Sequence, residues 1–295
     1  MVIDIADSCI ACNACVSICP RYIFEIDEEK KKARTNENIS RCHDCGHCVA
    51  ICPKSAITHR RMGANNEDSF PLKGKKWTYE EILEILRQRR SIRFFADAEP
   101  TDEQIEKLIQ LGKYAPTGHN AQRVSYTLVR NREDVKFLYE SVITFFQHTI
   151  KNLKNPFYVA LAYILGKGEK IKKAKANLYR LESHIAFYHQ KIDKIFHSAP
   201  VLLLLHTDNK AATPIEDCAI AAQNIMVGAP SLDLGATYIG YFTNAWLYSK
   251  KIRKITSLPP DHTLYACLAL GKPKYSFQRL IPRPDPLAVK WKKQV

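Results

Sequence analysis

The sequence predicts an α+β protein in two parts, a small cysteine-stapled unit followed by a larger layered domain of a few strands and long helices. Three observations predict it. Eight of the ten cysteines fall within the first 52 residues, in two runs of identical spacing. A polar stretch with Gly and Pro but no apolar periodicity, RMGANNEDSFPLKGKKW from Arg61, comes next and reads as a linker. After Trp77 amphipathic helix patterns are interleaved with short apolar strand patterns. A chain of 295 residues has room for roughly two domains, and these breaks set them at 1–60 and 77–295, joined by a linker over 61–76.

The first unit is defined by its thiols. CIACNACVSICP, with Cys9, Cys12, Cys15 and Cys19, recurs as CHDCGHCVAICP, with Cys42, Cys45, Cys48 and Cys52. Thiolates this close suit an iron–sulfur cluster or zinc. Zinc ribbons use pairs of C-x2-C and need neither the third cysteine nor the proline. A disulfide framework is disfavoured because Met1 leads straight into VIDIADSC with no signal segment. Three cysteines at two-residue gaps, then a fourth followed by proline, resemble the bacterial two-cluster ferredoxin run, in which the fourth cysteine ligates the other cluster. The resemblance implies that Cys9, Cys12, Cys15 and Cys52 bind one [4Fe-4S] cluster, and Cys42, Cys45, Cys48 and Cys19 a second. It also implies a small pseudo-twofold fold with short strands, stapled by its clusters because a chain under about 70 residues has too thin a core. His43 and His47 lie inside the second run and read as surface groups or groups packed beside the cluster. Cys218 and Cys267 sit in apolar runs and read as core.

Helix starts are well marked after the linker. Thr78 with Glu81, and Thr101 with Gln104, form capping boxes. The first precedes YEEILEILRQRR, where Ile82, Leu83 and Leu86 make one apolar stripe, and the second precedes DEQIEKLIQLGKYA, which stops at Pro116. Thr213 followed by Pro214 and Glu216 opens a third helix, EDCAIAAQNIMVGAPSL, apolar nearly all round and so expected to be central and buried. Strands are expected at VSYTLV from Val124, VLLLLH from Val201, ATYIGYF from Ala236 and TLYACLALG from Thr263. Between Thr144 and Phe196 the text is helical and rich in Lys. Few strands with long flanking helices make an α+β layer domain.

Two short stretches carry more than structure. RQRRSIRFF brings Arg89, Arg90, Ser91 and Arg93 together, and a guanidinium cluster with a hydroxyl suits phosphate oxygens. By itself the run reads equally as a solvated basic helix end. YAPTGHNAQ sets Thr117, Gly118, Asn120 and Gln122 just past a helix, a pattern that alone is a capped turn as readily as a site. In this order, followed by Leu234 to Gly240 as L-G-x-x-x-I-G and by Gly271-Lys272-Pro273 near the end of the chain, the set resembles the nitroreductase family of FMN enzymes.

That resemblance spans Trp77 to the end of the chain and implies an intertwined homodimer with FMN at the interface. It implies that Arg89, Arg90, Ser91 and Arg93 hold the phosphate and ribityl chain. Pro116, Thr117, Gly118, Asn120 and Gln122 would approach the flavin from the partner subunit. Tyr238, Ile239, Gly240 and Tyr241 would pass by the isoalloxazine, and either Arg279 or Arg283 would close on the phosphate. Family members often have Pro-Trp after the position of Gln122, where this chain has Arg123 and Val124, so the wall beside the flavin, and with it the substrate preference, is expected to differ. No residue is nominated as an indispensable catalytic acid, since transfer occurs at flavin N5; Tyr238 and Tyr241 are the weak candidates.

Residues 1–60 hold eight acids and eight bases, so the whole formal charge of +14 lies beyond them, in runs such as KGEKIKKAKANLYR and KKIRK. This charge can steer anions, either FMN itself or an acidic ferredoxin or flavodoxin donor. The bases come without a nucleic-acid reading motif. No apolar stretch reaches the 18 or so residues of a membrane span, and exposed clusters with reduced thiols point to the cytoplasm. The expected function is an FMN-dependent oxidoreductase in which two [4Fe-4S] clusters relay electrons from a ferredoxin or similar low-potential donor. The acceptor is then an organic molecule such as a nitroaromatic, a quinone or an activated alkene. The alternatives are an NAD(P)H-oxidising flavoprotein whose clusters pass electrons outward to a protein partner, and a non-catalytic electron-transfer or redox-sensing module.

Overall fold

A computed structural model describes residues 3–59 and 74–284, so most of the expected linker lies outside the described residues. Two compact units emerge. The smaller contains the two cysteine runs together with Pro116–Gln122 and Ala211–Thr213, and the larger contains the remaining described residues after Trp77.

The smaller unit begins with β1 (Ile3–Ile5) and α1 (Ala14–Ile18), followed by β2 (Phe24–Asp27) and β3 (Lys32–Thr35). A 3-10 turn, α2 (His47–Ile51) and β4 (Ile57–His59) complete it. β1 pairs antiparallel with β4, and β2 with β3. The sequence repeat is also a backbone repeat. Left-handed residues recur at matching places, Ala11 with Asp44, Asn13 with Gly46, and Tyr22 with Ser55. Asn13 (φ 64°) and Gly46 (φ 73°) cap helices that run only as far as Ile18 and Ile51. Helices of one turn and a fraction do not persist alone. The apolar core beneath them is Ile3, Ile23, Phe24, Ala33 and Ile57 with the buried thiols Cys15 and Cys48.

The larger unit is built on a four-stranded antiparallel sheet. Its strands are β5 (Ser125–Val129), β6 (Val201–Asp208), β7 (Gly235–Tyr238) and β8 (His262–Gly271), in the order β5-β6-β8-β7. The helices are α3 (Tyr79–Gln88), α4 (Asp102–Lys113), α5 (Arg132–Lys154), α6 (Pro156–Ile164), α7 (Gly168–Ala176), α8 (Leu178–His189), α9 (Pro214–Gly228), α10 (Gly240–Tyr248) and α11 (Lys250–Thr256). Val201 to Leu205 are all fully buried. Successive residues of a strand face opposite sides of the sheet. Leu202 and Leu204 accordingly pack into the cluster with Phe146 of α5 and Phe242 of α10, while Val201, Leu203 and Leu205 pack against Leu108 of α4 and Ile225 of α9. The sheet is thus covered on both faces, which makes the unit three layers deep.

Local chemistry explains the element ends. Both capping boxes form, at Thr78 with Glu81 and at Thr101 with Gln104. The apolar stripe on α3 forms, with Ile82 and Leu86 44% and 50% exposed and Leu83 half-buried. Two expectations are corrected. α9 buries Cys218, Ala221, Ala222, Ile225 and Met226 but leaves Ile215 and Ile220 exposed, so it is not buried all round. The strand expected over ATYIGYF ends at Tyr238, because Phe242, Ala245 and Trp246 follow the i, i+3, i+4 spacing of a helix that opens at Gly240.

A register shift in β6 at Leu205/His206 turns His206 toward His262, with their Nδ1 atoms 2.7 Å apart. His206 Nε2 is also 2.9 Å from Thr127 Oγ1. Burial, with His262 beside it, lowers the pKa of His206 to about 4. An unfolded histidine titrates near 6.5, so the unfolded chain binds more protons between those values. The contribution of His206 to stability is complete above about pH 6.5 and is lost as pH falls toward 4. Denaturation midpoints should decline over that window, and the decline should flatten in His206→Gln.

Candidate functional site

The cysteines surround two separate small cavities. One is lined by Cys9, Cys12 and Cys15 of the first run with Cys52 of the second, and the other by Cys42, Cys45 and Cys48 with Cys19. The short helices produce this exchange. Each run wraps its first three thiols around the left-handed helix start, and the helix then carries the fourth, at its C-terminal end, to the other cavity. Backbone N–H groups point at the sulfurs: Ala33 N is 3.4 Å from Cys9 Sγ, Asp44 N is 3.4 Å from Cys42 Sγ and Ala56 N is 3.2 Å from Cys52 Sγ. Buried His59 lies 3.5 Å from Cys42 Sγ and 3.3 Å from Asp44 Oδ1. Burial raises the Cys15 and Cys42 thiols and pushes Cys48 up to about 12. Thiolates at neutral pH therefore require a bound cation. Two rings of four thiols supplied with N–H donors fit [4Fe-4S] clusters.

The arginine cluster is held by the sheet edge. Ser91 bridges Ala236 of β7, Ile92 N donates to Ala236 O, and Phe95 bridges Pro273 just past β8. A Cβ at Gly235 would fall 2.9 Å from Ile92 Cβ, so the glycine allows this close approach. Arg89, Arg90, Ser91 and Arg93 then line a cavity of about 680 Å³ with Phe277 and Arg283. Arg90 stacks 5.3 Å from the Phe277 ring centroid. Of the two late arginines, Arg283 lies in this lining and Arg279 does not. Burial, and next the Arg283 and Arg90 guanidiniums, lower the pKa of Arg89. Among the described residues no carboxylate lines the cavity. Converging guanidiniums and a hydroxyl fit the phosphate of FMN.

A second cavity, of about 1190 Å³, shares Arg93 with the first and includes the whole Tyr238, Ile239, Gly240, Tyr241 segment. A Cβ on Gly240 would meet nothing within 4 Å, so the backbone here faces open space, which fits a flat ring lying alongside. The two tyrosines are occupied otherwise than as free acids. Tyr238 Oη donates to Tyr265 O at 2.7 Å, and burial raises its pKa. The Tyr241 ring packs edge-on to His184 and Phe146.

Pro116–Gln122 belongs to the smaller unit, and its polar groups are partly engaged there. Asn120 Nδ2 donates to Asp44 O at 2.6 Å, His119 packs edge-on to His43 at 5.4 Å, and Gln122 N donates to Thr117 Oγ1 at 3.0 Å. His119, Asn120 and Gln122 all adopt left-handed backbone. The sequence left unpredicted both this loop's attachment to the second cysteine run and the lysines of the larger cavity. Neither has a local signal, because the loop's partner is about 75 residues away (Asp44 to Asn120) and the lysines read as a solvated helix face.

The Nitroreductase family model matches residues 86–272, and a 4Fe-4S dicluster domain model matches residues 8–56. A protein of Archaeoglobus fulgidus, provisionally named NADH dehydrogenase/NAD(P)H nitroreductase, is 25% identical over 195 residues, 66% of this chain and 87% of the relative. An FMN reductase (NADPH) of Bacillus subtilis is 29% identical over 194 residues, 65% of each chain. An FMN-bound nitroreductase structure from Bacteroides fragilis superposes with a TM-score of 0.54 at 20% identity, covering 71% of this chain and 98% of that one. The larger unit thus has the nitroreductase fold, and the smaller is an iron–sulfur domain of ferredoxin type. With most of its length matched by the family model, the chain belongs to the nitroreductase family of flavin oxidoreductases, with a 4Fe-4S domain preceding the flavin domain.

Proposed function

We propose that the protein is an FMN-dependent oxidoreductase in which two [4Fe-4S] clusters take electrons from a ferredoxin-like, low-potential donor for delivery to an organic acceptor. The observation that carries this reading is the pair of cavities joined at Arg93, one lined by an arginine cluster with a hydroxyl and, among the described residues, no carboxylate, and the other bounded by Tyr238 to Tyr241. FMN bound there supplies both one- and two-electron transfer, and the clusters one-electron transfer. Arg89, Ser91 and Arg283 bind the phosphate, Arg90 is fixed by Phe277, and Arg93 sits where phosphate end and ring end meet. The backbone at Gly240 leaves room for the ring. Tyr238, its hydroxyl committed to a carbonyl, orients the wall and does not donate a proton.

The flavin site is completed by a second copy of the chain, with Pro116, Thr117, Gly118, Asn120 and Gln122 contributed across the interface. Exposed apolar faces support the homodimer. Phe157 and Ile164 of α6 are 85% and 81% exposed, and the α3 stripe and Ile215 of α9 are open as well. Among the described residues no helix is long and apolar enough to cross a membrane. Acceptors are flat electrophiles such as nitroaromatics, quinones or activated alkenes, and solvent-accessible Cys12 favours a reducing cytoplasm. A second reading, with NAD(P)H as donor and the clusters as exit, is favoured by the names of the Archaeoglobus and Bacillus relatives.

Anaerobic mixing separates the two readings. Flavin bleaching should need reduced ferredoxin and should not occur within a few turnovers of NADH or NADPH alone; rapid bleaching by nicotinamide would make the clusters the exit. Replacing Arg89 and Arg93 together by Ala should lower FMN affinity by about 100-fold or more, since each charge-assisted contact contributes about 1.5–3 kcal/mol, while iron content stays unchanged. The exchange of fourth cysteines has its own check. Cys19→Ser with Cys48→Ser should cost about half the iron, and Cys19→Ser with Cys15→Ser nearly all of it; the reverse result would assign each fourth cysteine to its own run.

A further inference from the structure

The cavity of about 1190 Å³ is larger than most ligand sites, which span about 300–1,000 Å³, and its lining is divided by chemistry. Its floor is apolar and buried: Phe146, Leu153, Ile171, Ile195 and Ile239 are each under 9% exposed. Its rim is cationic. Lys167, Lys170, Lys173, Arg180 and Lys194 line it in addition to Arg93, and among the described residues no Asp or Glu does, in a chain with 30 acids to 44 bases. Lys170 and Lys173 are three residues apart on α7 and share a face with each other. Buried Ile171, with half-buried Ala174, holds that helix against Leu153 and Ala162. Among the described residues no carboxylate lies within ion-pair distance of Lys167, Lys170, Lys173 or Lys194. The nearby acids are committed elsewhere: Glu182 pairs with Lys154, and Asp193 accepts the backbone N–H groups of Ile195, Phe196 and Ser198. The positive field reaches the wall. His197 is held below its ordinary pKa, first by burial, with Arg93 and Lys194 adding to this against Asp193.

FMN does not account for these charges, because its phosphate is matched by the separate arginine cavity. The α7 lysines are exposed, yet they line the same cavity as buried apolar side chains, which a helix face turned wholly to solvent would not do. We propose that this cavity binds an amphipathic organic anion, an aromatic carboxylate whose ring lies on the apolar floor beside Tyr238 to Tyr241 while its carboxylate meets Lys170, Lys173 and Arg180. The inference rests on the flavin reading of the same site and narrows the acceptor class from flat electrophiles in general to acidic ones.

The test uses the full-length, FMN-saturated, oxidised protein without a donor, so that no turnover occurs. It compares 4-nitrobenzoate with 4-nitrobenzyl alcohol, which share the nitroarene and differ in charge, by calorimetric titration. The benzoate should bind about tenfold or more tightly at low salt, an advantage that shrinks as salt is raised. Lys170→Glu with Lys173→Glu should abolish or reverse the preference, and Lys170→Arg with Lys173→Arg should keep it. An unchanged preference in the charge-reversed protein, equal binding of the two nitroarenes, or no binding of either because a partner subunit fills the cavity would overturn the proposal. Flavin content is measured before each titration. Protein that cannot be loaded with FMN would overturn the flavin reading, whereas flavin-loaded protein indifferent to charge would overturn only the anion site.

Discussion

The burial of β6 on both faces is the constraint on which the larger unit depends. Val201 to Leu205 have no exposed surface, so helices must cover both sides of the sheet, and the strand's alternation decides which residues meet which layer. With α5 and α10 on one face and α4 and α9 on the other, chemistry is confined to the sheet's edge and ends. The arginine cluster lies there. Its backbone is bonded to β7, and Ile92 occupies the space that Gly235 leaves empty. A phosphate-binding group placed on a floppy helix end would lose affinity to conformational entropy; tied to a sheet edge, the five residues from Arg89 to Arg93 are held before a ligand arrives.

The smaller unit works under the opposite condition. It has few buried apolar side chains and two short helices, so its thiols are structural as well as chemical. The exchange of fourth cysteines couples the halves, since each cavity is lined by a thiol from the other run. The N–H groups directed at Cys9, Cys42 and Cys52 then act on electron density at the sulfurs, a means of setting potential without changing ligands.

Charge is distributed to match these two conditions. Residues 1–60 are neutral in formal terms, while the rest of the chain carries the excess and gathers part of it at two concave surfaces lined by no acid among the described residues. Like charges held together are unfavourable unless an anion visits them. Arg89, lowered first by burial and next by Arg283 and Arg90, records part of that cost in the arginine-lined cavity.

Much was legible in the sequence because it is written in short range. Both capping boxes, three of the four sheet strands and the thiol repeat follow from spacing within a few residues, and the nitroreductase resemblance rested on an ordered set of short motifs. The errors were failures of context. YIGYF has strand-like residue types, yet Phe242, Ala245 and Trp246 find their burial as one face of α10. The apolar run of α9 announced burial all round, yet Ile215 and Ile220 are exposed. Sequence determined which residues are candidate ligands by type and spacing, because thiols and guanidiniums act through local geometry. Only the tertiary structure brought Arg283 rather than Arg279 to the arginine cluster, attached Asn120 to the second cysteine run, and set the α7 lysines around the same cavity as buried apolar side chains. Each of these joins residues far apart in the chain, and such contacts are decided by packing, which no local pattern encodes.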